Sequence, residues 1–108
     1  MHHLLVVMYS DLLTRALDGD GERHGSDDLL LAELVDSRRR LHAAGTAPVA
    51  EALARELSYD GALIRLCESI EVRATPEWFD SPRRERARLE GELLRRGILL
   101  PPARLQDV

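Results

Sequence analysis

The chain has 108 residues, 44% of them hydrophobic and 31% charged, with a formal net charge of −4. That length suits one compact domain with little surplus core, and the composition excludes an intrinsically disordered chain. The longest apolar run, Leu4 to Tyr9, is far too short to span a bilayer.

All 15 basic residues are arginine, asparagine is absent, and Gln106 is the sole glutamine, a usage that resembles high-GC bacterial genomes. Without lysine there is no Schiff-base chemistry, no lysine general base and no phosphate-gripping P-loop lysine. One cysteine, Cys67, excludes an internal disulfide and a multi-cysteine zinc site. The N-terminus lacks the basic, apolar and small-residue segments of a signal peptide, so a cytoplasmic location is expected. Charge is unevenly spread: residues 1–37 hold eight acids against two arginines, and residues 82–108 hold seven arginines against four acids. That asymmetry suits self-association or a charged partner, whereas a nucleic-acid surface is usually basic overall.

From His3 to Leu17, Leu5, Tyr9, Leu12 and Ala16 share one helical face, which predicts a helix. Asp18 to Ser26, DGDGERHGS, reads as a flexible loop. Tested as a calcium loop from Asp18, it has Arg23 where glycine is required and Leu29 where a bidentate acid is required, so no metal is expected. Ser26, Asp27 and Asp28 then make a helix start. This helix should run to about Ala44 and stop at Gly45, with Leu30, Leu34 and Leu41 on one face and Leu31 and Val35 beside it. Arg38, Arg39 and Arg40 near its end fan out around the axis and favour the carbonyl pole rather than a phosphate.

Thr46 and Pro48 announce the next helix. From Pro48 to Val72 the sequence predicts two short helices meeting at Ser58-Tyr59-Asp60-Gly61. Leu53 and Ala54 supply an apolar residue followed by a small one, Leu57 and Tyr59 flank the turn, and Ile64 and Cys67 pack the second helix back. Over about twenty residues this pattern is similar to the core of bacterial helix-turn-helix regulators. The resemblance implies that Asp60, Gly61, Ala62, Arg65 and Ser69 face bases. Arg65, with Ser69, is the candidate DNA contact, while Asp60 and Glu68 would repel the phosphate backbone. A purely structural corner therefore fits these residues better. Cys67, three residues from both Ile64 and Ile70, reads as a buried thiol rather than a nucleophile.

Glu71 to Ser81 is a connection in which Thr75-Pro76 predicts a capped single turn. Trp78 and Phe79 follow, either anchoring a core poor in aromatics or forming a partner-binding hot spot. Ser81-Pro82 begins the last helix, ended by Gly97. It has two apolar faces, Ala87, Gly91 and Leu94 on one and Leu89 with Leu93 on the other, and Gly91 suggests a close helix crossing. Pairs Arg86 to Glu90 and Arg88 to Glu92 are expected on a solvated face. Ile98, Leu99 and Leu100 should fold back or bind a neighbour, and a disordered tail is an expectation for residues 101–108.

Together these readings predict one all-α domain over residues 1–108, a small bundle of about five helices with a central helix-turn-helix-like corner. No acid pair, Ser/His/Asp order or ligand spacing supports an enzyme, and no cofactor is expected. The function expected is a non-catalytic protein–protein interaction or assembly protein, homodimeric, with Trp78, Phe79, Leu89 and Leu93 as candidate partner-binding residues. A helix-turn-helix DNA-binding regulator is the alternative, and a small-ligand sensor with a pocket between helices a third reading.

Overall fold

A computed structural model of the chain describes residues 9–19, 27–43 and 48–100. The described residues form an all-helical bundle: α1 (Tyr9–Gly19), α2 (Asp27–Leu41), α3 (Val49–Ser69), a 3-10 turn (Pro76–Trp78) and α4 (Pro82–Arg95). The expected helix start near His3, the loop from Asp20 to Ser26, the stop at Gly45 with the Thr46 cap, and the tail at 101–108 lie outside the described residues. Within it, α1 runs two residues into the expected loop, through Asp18 and Gly19.

The main departure concerns Pro48 to Val72. There is no corner: α3 is one helix of 21 residues, and Ser58 to Gly61 lie inside it. Four α-helices and a short turn therefore replace the expected five among the described residues. Glycine inside a helix costs only about 1 kcal/mol relative to alanine. Burying Tyr59, Ala62, Leu63, Leu66 and Cys67, an unbroken stripe at helical spacing, offsets that cost several times over. Gly61 faces α1, where a Cβ would meet Leu17 Cδ2 at 3.6 Å, so its space is already covered.

The core gathers Leu13 of α1, Leu30 and Leu34 of α2, the second half of α3, Val72, Ala74, Phe79, and Leu89 and Leu93 of α4. As the central element, α3 packs against each of the other three helices. Its first turns stand clear of the core, with Val49 at 85% exposure. Of the five packing positions expected for the corner, Ile64 and Cys67 are buried and Leu53 and Leu57 half-buried, but Ala54 is exposed because the continuous helix turns it outward.

Both α3 and α4 end with the same pair of hydrogen bonds. Val72 N–H donates to Cys67 O at 2.7 Å and Glu71 N–H to Glu68 O at 3.1 Å, while Ile98 N–H donates to Leu93 O and Gly97 N–H to Leu94 O, both at 2.9 Å. This Schellman pattern needs one left-handed residue. Gly97 takes it at φ +84°, and Glu71 takes it at φ +66°. The capped turn expected at Thr75-Pro76 is present: Thr75 Oγ1 accepts from Glu77 N–H at 3.4 Å.

Candidate functional site

The most chemically concentrated part of the molecule is a polar seam between helices. On α3, Glu56 and Asp60 are four residues apart, and on α4 so are Arg86 and Glu90, so each pair shares a helix face. Asp60 sits within the apolar stripe of α3 with no exposed surface. A carboxylate buried there requires partners from other elements.

It has them. Arg86 grips both oxygens, Nε donating to Oδ1 and Nη2 to Oδ2, each at 2.7 Å. Tyr9 of α1 donates its hydroxyl to Oδ2 at 2.5 Å. The same Arg86 Nη2 reaches Glu56 Oε1 at 3.3 Å. Three helices thus converge on one carboxylate.

The adjacent residue, Tyr59, opens a second group. Its hydroxyl donates to Glu90 Oε2 in a short bond and accepts from Arg38 Nη1 at 2.8 Å. Arg38 Nη1 also pairs with Glu90 Oε2 at 2.9 Å, and its guanidinium lies 5.8 Å from the centre of the Tyr59 ring. This ties α2 to α3 and α4. Since Tyr59 and Asp60 are sequential and Arg86 and Glu90 are one turn apart, the two groups form a continuous seam of alternating charge.

Burial pushes the Asp60 carboxyl above its ordinary range, and the bonds from Arg86 and Tyr9 only partly draw it back. For Arg86, burial opposes the charge, but the bonds to Asp60 prevail and raise its pKa further. Tyr9 and Tyr59 are both raised, chiefly by burial and then by Asp60 and Glu90 respectively, so neither phenol ionises near neutrality. His42, exposed at the end of α2, is lowered by partial burial and by the Arg38 charge.

The carboxylate and both phenols are engaged with one another and with Arg38 and Arg86. These bonds fix helix register, because each is made at one rotation of each helix. Among the described residues, no group of three or more His, Cys, Asp or Glu side chains converges as metal ligands do.

The candidate partner residues fall on two sides of the surface. Phe79, Leu89 and Leu93 have no exposed area and fill the core, with the Phe79 ring 6.4 Å from that of Tyr9. Phe79 therefore anchors the core, one of the two roles open to it from sequence. Trp78 is 43% exposed, with the Arg88 guanidinium 5.0 Å over its ring. Arg88 is held from below by Glu85 and donates to Arg73 O at 3.1 Å. The expected pairs Arg86–Glu90 and Arg88–Glu92 give way to Arg86–Asp60 and Arg88–Glu85, because burial of α4 turns Arg86 inward.

Of the candidate DNA contacts, Arg65 is largely covered, its side chain 14% exposed and 3.7 Å from Glu33 of α2, and Ser69 turns its hydroxyl back to Leu66 O at 2.7 Å. Asp60, Gly61 and Ala62, expected at bases, are buried. The seam residues Tyr9, Arg38, Asp60, Arg86 and Glu90 were not singled out from sequence as one group. The available signal was Asp60 itself, a charge between Tyr59 and Leu63 in an apolar stripe.

No family model, curated protein or solved structure matches this chain.

Proposed function

We propose that this protein is a non-catalytic interaction or assembly protein that works as a homodimer. The observation that carries this reading is the outer surface of α4 and the segment after it. Leu94 is 60% exposed and Leu99 75% exposed, although Leu89, Leu93 and Ile98 beside them are drawn into the body. The half-exposed Trp78, braced by Arg88, adds a side-chain pair of the kind that dominates binding energies at interfaces. The interior polar groups, by contrast, are spent on one another.

Sedimentation velocity across a dilution series tests the reading. A concentration-dependent dimer that Leu94→Glu dissociates is expected, and a species that sediments as a monomer at every concentration overturns it.

A further inference from the structure

We propose that the surface covering the outer face of α4 is a second copy of this chain, seated so that the α4 arginines of each copy meet the exposed aspartates of α1 and α2 of the other. This rests on the homodimer reading above and adds which faces join.

With Leu89 and Leu93 fully buried, the rotation of α4 is fixed. Its outer face then presents exposed Ala87, exposed Leu94, and Gly91, where an added Cβ would meet nothing within 4 Å. Small residues there admit a close helix, and Leu94 supplies apolar area. Arg83 and Arg84 stand exposed in the first turn, the pole at which the helix dipole disfavours cations, and they make no ion pair among the described residues. At the other end Arg95 and Arg96 share the single carboxylate of Glu92. The face is left with surplus positive charge.

The complementary surface is on the same chain. Asp11 and Asp18 of α1, with exposed Arg15 between them, and Asp28 of α2 are exposed, and these three aspartates make no ion pair among the described residues, so the excess on this surface is negative. In a twofold dimer, a contact from α4 to these aspartates occurs twice, once in each direction. Pairing α4 with its own copy is the competing arrangement. Arg84 and Arg95 lie about three turns apart on one flank, and the twofold would set that flank beside itself, like charge against like.

The test uses the full chain and two double variants, Arg83→Glu with Arg84→Glu, and Asp11→Arg with Asp18→Arg, in sedimentation velocity at low and high salt. Circular dichroism confirms that these surface changes leave the helices intact. The wild-type dimer should weaken as salt rises, and each variant alone should dimerise about tenfold or more weakly. Mixing the two variants in equal amounts should restore dimer, since each then meets opposite charge at both contacts. A dimer indifferent to salt and to both variants, or failure of the mixture to restore it, overturns this arrangement while leaving the homodimer reading standing. Selective strengthening by the α4 variant, with the acidic variant unaffected, would assign α4 to its own copy and also overturn it. A wild-type monomer at every concentration overturns both.

Discussion

Asp60 accepts from Arg86 twice and from Tyr9 once while wholly buried. Truncating it leaves Arg86 partly buried with only Glu56 and strands the Tyr9 hydroxyl. Asp60→Ala should therefore cost about 3–5 kcal/mol, the range for removing one partner of a buried pair, read by urea denaturation. Its titration carries a definite sign. Because the folded pKa is raised above the ordinary value of 3.8, the folded state holds the Asp60 proton more tightly than the unfolded chain does. The stability contributed by this group is full below the unfolded pKa and declines as pH rises through the folded one. Carboxyl carbon shifts should show Asp60 titrating above 3.8, with Glu92, lowered by its bonds from Arg95 and Arg96, titrating below its own ordinary value. An Asp60 midpoint below 3.8 would mean that Arg86 outweighs burial.

At the scale of helices, the two Schellman ends differ by one residue type. Gly97 adopts the left-handed conformation freely, whereas Glu71 adopts it at a cost of about 1 kcal/mol for its Cβ. Glu71→Gly should raise stability by about that amount. Gly91→Ala should do likewise by about 1 kcal/mol, since open space receives the methyl group. Thermal unfolding measures both in monomer, and a destabilised Gly91→Ala monomer would show that the face is covered within the chain. Helix bounds were legible at α4 and the short turn, where Pro82 and Gly97 bound the helix and Thr75 caps the turn, but not at the ends of α1, which runs through Gly19, or α2, which stops at Leu41 rather than near Ala44. The corner at Ser58 to Gly61 was misread because a glycine beside serine and aspartate signals a break locally. Tertiary burial of the stripe around it carries the helix through.

For the molecule as a whole, the sequence conveys the all-helical class and several core positions, including Leu30, Leu34, Ile64 and Cys67. It does not convey which charges leave the surface. Arg86 has a carboxylate four residues away in sequence, at Glu90, and nothing local reveals that it reaches Asp60, 26 residues distant in the chain. Such pairings depend on how α3 and α4 are rotated against each other, a property of the assembled bundle. Cys67 gives access to that assembly, because it is wholly enclosed by the core and its thiol is pushed up to about 11 by burial. Thiol-specific reagents should label it only through global unfolding, at rates that track denaturant in step with helix loss. Rapid labelling of the native protein would indicate that α3 and α4 separate locally.

Trp78 is the chain's sole tryptophan, half in water and stacked beneath the Arg88 guanidinium. Intrinsic fluorescence excited at the indole band therefore views one short turn rather than the core. Emission will start from an already wet environment, and its change on denaturation will register release of the stack more than loss of the bundle. Comparing that optical signal with helical ellipticity distinguishes a turn that melts ahead of the helices from one that unfolds with them.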